Sequence, residues 1–202
     1  MFPSVCISLV IHAWEQLTFE KTFNFLQNNS LSRADLSNED GDVSNIHYGD
    51  ILVKFGTLID IRKEKLPFII NGEVVKKHLQ SLLRNGDIII ADAAEDETVG
   101  KCCEVCCLED EKVLAGLHTI PVRTKEKFAL GYLGYYMNSD SYHDQLLPII
   151  QGTKVSSISK ASIKNTIIKY PKFEIEQNLI GLYLKNIDCL ITLYQRKPFF
   201  SF

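Results

Sequence analysis

The chain has 202 residues, 46% hydrophobic and 23% charged, with a formal net charge of −3. This is the composition of one globular domain with room for a sizeable core, and no apolar run approaches a membrane span. The net charge excludes a protein that holds nucleic acid through its overall field, so any phosphate affinity must come from local clusters. Such clusters exist: no acid lies between Asp144 and Glu174, a stretch that carries Lys154, Lys160, Lys164, Lys169 and Lys172, whereas Asp92 to Glu111 is strongly acidic. The six cysteines carry no secretory signature, and the apolar start, Met1 to Ala13, lacks a basic n-region and contains Pro3. Reduced thiols and a soluble, cytoplasmic chain are therefore expected.

In chain order, residues 1–13 fit an edge strand or the leftover of a longer reading frame. Trp14 and the group Phe19, Phe23, Phe25 read as core or interface aromatics. Leu26 to Ser44, rich in Asn, Ser and Asp and holding Asp40-Gly41, reads as a loop with turns. His47 to Phe55 reads as a Gly-Asp turn leading into an apolar strand, and the device recurs from Arg84 to Asp92. Two such turns feeding buried strands predict a mixed or antiparallel sheet. Between them lie a charged loop, Arg62 to Leu66, and a short helix within Gly72 to Leu83. Val99–Cys107 and Val113–Val122 flank Glu109-Asp110-Glu111 and read as a hairpin, with Gly116 to Ile120 on its second strand. Phe128 to Asn138 reads as a small aromatic helix, and Gln145 to Gln151 is too short to assign.

The last stretch organises the rest. Gly152 to Ser159 leads through a basic, β-prone segment to Tyr170-Pro171, where proline disfavours helix in its predecessor and suits a helix start. Phe173, Gln177, Ile180, Leu184, Ile187, Ile191 and Tyr194 are spaced 4, 3, 4, 3, 4, 3, a heptad seam with one polar member. A second apolar line, Leu179, Leu182 or Tyr183, Leu190 and Leu193, runs beside it. Arg196 and Lys197 complement the negative helix end and Pro198 stops it. A helix this apolar needs a partner surface. Its expected partner-facing residues are Ile180, Leu184, Ile187, Ile191 and Tyr194, with Gln177 helping to set register. The predicted architecture is an α/β domain over 1–172, with an irregular mixed sheet and short helices, and one long coiled-coil-type helix over 173–198.

These residues carry a family resemblance. Gly152-Thr153, Val155, Ile158-Ser159, Pro171, Glu176-Gln177, Ile180 and Ile187-Asp188 stand in the order and spacing of one half of a type I restriction–modification DNA specificity subunit, which the chain resembles. Earlier stretches extend the likeness: Ala13 to Leu17, Tyr48-Gly49-Asp50-Ile51 with Lys54, Gly86 to Ala93 with Glu95-Asp96, Val99-Gly100-Lys101, and Gly116-Leu117-His118-Thr119. The resemblance runs from Trp14 to Lys197 and implies a target recognition domain. It departs from the family in one respect, because the family member is a tandem of two recognition domains and two long helices. A half-length form with one of each is expected here.

A domain of this kind implies no catalytic residue, only polar side chains that reach base edges and cations on phosphates. The DNA-binding candidates are Lys154, Ser156 and Lys160 in the acid-free run, Lys54, Arg62, Lys63 and Lys65 around the charged loop, and His118. Each basic cluster reads equally as a solvated face, and His118 also reads as a core histidine of an apolar strand. Cys102-Cys103 and Cys106-Cys107 invite zinc, but strand alternation splits them between two faces, so buried thiols and no metal are expected. Asp92 with Asp110-x-Lys112 superficially spells a metal-dependent nuclease, on a turn ill suited to a rigid site. Phosphate-binding and dinucleotide glycine loops are absent, as is the Asn/Asp-Pro-Pro-Tyr signature of adenine methyltransferases. The resemblance therefore implies a non-enzymatic reader of double-stranded DNA, without cofactor. It implies methyltransferase (M) and restriction (R) subunits as partners, while the apolar seam of a single long helix predicts homodimerisation through that helix and the lack of a long apolar run predicts no membrane contact. The alternatives are a truncated interaction remnant that does not bind DNA, and the nuclease.

Overall fold

Ile88-Ile89-Ile90-Ala91 is apolar at every position because both faces of this strand are covered. Ile88 and Ile90 enter one core with Phe19, Phe23, Cys102 and Val122, while Ile89 and Ala91 enter a second with Ile46, Ile59, Cys103 and Val113. Fully burying each isoleucine contributes about 1.5–3 kcal/mol. The computed structural model describes residues 14–195. The expectations for 1–13 and for Arg196, Lys197 and Pro198 lie outside the described residues.

The elements begin with β1 (Trp14–Thr18), α1 (Phe19–Thr22), β2 (Phe23–Phe25), β3 (Leu36–Ser37), β4 (Val43–Ile46), α2 (Tyr48–Val53) and β5 (Leu58–Asp60). The middle of the chain supplies β6 (Phe68–Ile69), α3 (Gly72–His78), β7 (Ile88–Ala91), β8 (Ala93–Ala94), β9 (Cys102–Cys106), β10 (Lys112–Ala115) and β11 (Thr119–Thr124). Then come α4 (Tyr132–Met137), α5 (Asp140–His143), β12 (Ser156–Ser157), α6 (Lys160–Ile163), β13 (Ile167–Pro171) and α7 (Glu174–Gln195). The central sheet has the order β2-β11-β7-β9-β5, antiparallel except for the parallel pair β5 and β9. A second sheet, β10-β4-β6-β3, packs beside it, and β1 with β13 and β8 with β12 form two-stranded ribbons. This is the expected α/β arrangement of irregular mixed sheet, short helices and one long C-terminal helix. No described helix is long and apolar enough to cross a membrane.

Three local expectations are corrected. The stretch after His47 is helix α2, not a strand: the His47 ring accepts from Gly49 N at 3.2 Å, and Val53 is 89% exposed where a buried strand needs cover. The strand of this region is β4, which begins at the end of the segment expected to be loop, a segment that also holds the short β3. The hairpin does not form either. β9 lies between β7 and β5, β10 pairs in parallel with β4, and the run Val113–Val122 breaks at Gly116–His118 into strands of different sheets. Finally, the aromatic helix is shorter than read, because Gly131, at φ +93°, delays its start to Tyr132.

The face of α7 that carries Gln177, Ile180 and Gly181 docks on its own domain. Gln177 is buried, accepting from Ala129 N at 3.0 Å and donating to Pro171 O at 2.9 Å, so it fixes the helix to this domain rather than setting register with another. Ile180 packs against the first core, and Leu184 and Ile187 are half-buried. Beyond them Ile191 and Tyr194 are exposed, as are Leu179, Leu182, Tyr183, Leu190 and Leu193 of the second line and Ile175 one turn before it.

Candidate nucleic-acid interface

The most constructed surface corner is the turn between β10 and β11. Gly116 N donates to Ile46 O at 2.8 Å, and a side chain there would collide with Asn45. The carbonyl of Gly116 accepts from Thr119 Oγ1 at 2.6 Å and Asn28 Nδ2 at 3.3 Å. His118 then adopts φ +54°, a left-handed conformation that costs a β-carbon-bearing residue energy unless neighbours hold it. They do: Asp92 N donates to His118 O at 3.1 Å, and Tyr48 N to Leu117 O at 3.4 Å. The ring meets the Tyr48 ring edge-on at 5.2 Å, and Nδ1 lies 3.2 Å from Asp92 Oδ1.

An ionised Asp92 only accepts, which places the ring proton on Nδ1. The imidazole is half-exposed, and its Nε2 has no partner among the described residues. Burial pushes the Asp92 carboxyl up, while His118 and Lys160 pull it down. His47, whose ring is tilted against that of Tyr48 at 4.6 Å, has its pKa lowered by burial and by the Arg33 guanidinium. The corner thus presents one oriented imidazole edge, a group that donates or accepts a single hydrogen bond.

The basic residues divide. Lys154 is exposed without an ion pair among the described residues, and Ser156, half-buried in β12, pairs with Ala94 two residues beyond Asp92. Lys160 turns inward and donates to Leu26 O at 3.2 Å; burial lowers its pKa. Lys164 pairs with Glu20 at 2.8 Å, and Lys172 lies 3.8 Å from Glu15. In the other cluster, Lys54 pairs with Glu64 at 3.3 Å, while Arg62 and Lys63 share Asp60 at 3.2 and 3.1 Å. Arg62 also meets Glu109 at 3.2 Å. These cations hold the Asp60 carboxyl down at about 2, Arg62 first among them. Lys65 is exposed and has no ion pair among the described residues. His118 and the Lys54 cluster lie at opposite ends of α2, whose Tyr48 end faces His118 and whose Lys54 end faces Glu64.

Tyr48 and Asp92 belong to the corner, yet the sequence reading left them out of the site. No local signal joins them to His118, because helix, strand end and turn meet only in the fold. The thiols of Cys102 and Cys103 enter different cores, and burial raises both, Cys103 to about 12. Among the described residues no group of three His, Cys, Asp or Glu is placed to hold a metal. Asp92 is engaged with His118, and Asp110 sits in an exposed turn leading into a different sheet.

The family described as type I restriction modification DNA specificity domain matches residues 17–198. The chain belongs to this family. Its fold is similar to that of a type I restriction–modification S subunit from M. genitalium, at 13% identity and a TM-score of 0.57, over 89% of this chain and 40% of that one. It is also similar to the HsdS subunit of Thermoanaerobacter tengcongensis, at 17% identity and a TM-score of 0.59, over 96% and 42% of the two chains. A chain from a structural study of type I R-M complex assembly and conformational transition matches at 18% identity and a TM-score of 0.61, over 96% and 43%. This specificity-domain chain therefore spans about two-fifths of the length of the solved structures it resembles. Comparison with curated protein sequences finds no match.

Proposed function

We propose that this chain is a non-catalytic reader of double-stranded DNA within a type I restriction–modification system, with residues 1–172 reading a half-site and 173–198 acting as spacer. The observation that carries the reading is the His118 corner, where a strained turn, Asp92 and Tyr48 together orient one exposed imidazole edge; Lys154, exposed and without an ion pair among the described residues, precedes β12, the strand that pairs with β8 just after Asp92. Orientation of this kind suits base-edge readout, while a free lysine suits phosphate. Methylation and cleavage then belong to M and R subunits in the cytoplasm, and no cofactor is bound by this chain. The exposed line Ile175, Leu179, Leu182, Leu190 and Leu193 supports association of α7 with a second copy, since an apolar stripe of this length marks an interaction surface. Two readers related by a two-fold axis recognise an interrupted palindrome.

The test is selection of binding sites from random duplexes, with and without a methyltransferase subunit, using wild type and His118→Ala. Enrichment of a bipartite motif whose information at one or more positions disappears in His118→Ala is the expected result. Binding without sequence preference in every combination refutes the reading.

A further inference from the structure

We propose that Glu104 is the positioning residue that seats the long helix α7, acting through a proton-linked clamp on α4. The observations do not depend on whether the chain reads DNA. Glu104 lies in β9, in the central sheet, and is 2% exposed. Its Oε1 accepts from Gly131 N and its Oε2 from Gly134 N, each at 2.8 Å, and no Lys, Arg or His bonds to it among the described residues. A buried carboxylate held by two backbone amides alone is uncommon and costly. Gly134 is glycine for this contact, because a β-carbon would lie 3.0 Å from Glu104 Oε2.

The clamped segment is the seat of α7. A β-carbon on Gly181 would come within 3.2 Å of Tyr132 N and 3.3 Å of the Gly131 carbonyl carbon, so the helix lies directly on the clamped turn. Gln177 holds Ala129 N on one side, and Tyr135 donates to Asp188 at 2.7 Å on the other. A continuous chain of contacts runs from sheet to Glu104, to α4 and to α7.

The proton link follows from burial. It pushes the Glu104 carboxyl up to about 7, against the pull of the two amides. The titratable groups facing it are Cys102 on its own strand and Tyr135 on α4, both pushed up by burial and neutral near pH 7. Its register partners Leu58 on β5 and Ile88 on β7 carry no charge, and α7 brings Asp188, bonded to Tyr135. Opening the seat hydrates the carboxyl and returns it toward its ordinary value of 4.5. The folded value is the higher one, so the closed seat binds the proton more tightly. Seating is therefore strongest below 4.5 and is lost progressively as pH rises to about 7, with no further change above. Between pH 5 and 7 the opening equilibrium should rise on the order of fortyfold.

Hydrogen exchange, corrected for intrinsic rates and resolved by segment, tests this between pH 5 and 8 on the whole chain. In wild type, protection of 129–137 and 174–188 should fall with rising pH relative to β7 and β11, and Glu104→Gln should abolish that trend. Gly181→Ala, which lifts the helix without touching the carboxylate, should lower protection of 174–188 at every pH. Protection of the seat that is flat in wild type, or a trend that persists in Glu104→Gln, overturns the proposal. So does a Glu104→Gln effect spread evenly over the sheet, which is the mark of a residue serving the core alone. Should Glu104→Gln fail to fold, the wild-type profile with Gly181→Ala and a carbon-13 titration of the Glu104 carboxyl decides, and a midpoint below 5 overturns it.

Discussion

Removing Arg123 while keeping Asp87 isolates the most deeply buried ion pair among the described residues. Asp87 opens β7 after the Gly86 turn, at 1% exposure, and accepts from Arg84 N at 2.8 Å. Arg123 reaches it from β11 through two bonds, Nε at 2.8 Å and Nη2 at 2.6 Å, and also donates to Leu82 O at 2.9 Å. Arg123→Met preserves much of the stem's packing and leaves the carboxylate buried with one backbone donor. Stranding a buried charge in this way costs about 3–5 kcal/mol. For a chain of this size, each kcal/mol moves the melting temperature by about 2–4 °C, so the variant should melt about 6–20 °C lower. Urea denaturation gives the free energy, and the cycle with Asp87→Asn gives the coupling, expected to exceed about 1.5 kcal/mol. The double variant should be less destabilised than Arg123→Met alone, because the stranded charge is gone. DNA binding measured well below the melting transition should not change, since the pair braces the start of β7 while Asp92 stands at its far end. A cost below about 1 kcal/mol for Arg123→Met, or a double variant worse than the sum of the singles, refutes the reasoning.

Lys154→Glu should weaken DNA binding and flatten the salt dependence by about 0.9 in log–log slope, one phosphate contact, whereas Lys63→Ala, whose cation is already spent on Asp60, should leave it within error; gel shifts over a salt series read both. Leu190→Glu should dissociate a self-associated protein, visible by sedimentation at tens of micromolar, while leaving the far-ultraviolet spectrum intact because that side chain is exposed in the protomer. Among the described cysteines, exposed Cys189 should react first with a thiol reagent near pH 8, with buried Cys102 and Cys103 protected until unfolding; mass spectrometry of partially labelled protein counts the order. Gly116→Ala should destabilise the chain and reduce DNA binding together, because its side chain has no space beside Asn45 and the turn that carries His118 must move; equal stability with unchanged binding would contradict that geometry.

What the sequence by itself determined are the features encoded in local periodicity. The heptad spacing from Phe173 defined one long helix, and Asn85-Gly86-Asp87 followed by four apolar residues defined a turn and a doubly buried strand. Alternation along Cys102 and Cys103 separated the thiols, because a strand sends successive side chains to opposite faces whatever its partners. The ordered motifs from Trp14 to Lys197 carried the family, since spacing survives where individual residues do not identify it. Tertiary structure alone decided which groups meet. His118 reads as core among apolar neighbours, yet a left-handed turn lifts it to the surface, and that turn depends on Asn45, Asp92 and Tyr48 from three other segments. The acid-free lysine run looks positive in sequence, but Glu20 and Glu15 reach it across more than a hundred residues of chain and pair with two of its five lysines, Lys164 and Lys172. Likewise the heptad marks an apolar helix without saying which side is already used; the Gln177–Gly181 face is spent on its own domain, leaving the neighbouring line exposed. Periodicity is a property of consecutive residues, whereas ion pairs, strained turns and covered faces are set by which distant segments the fold brings into contact.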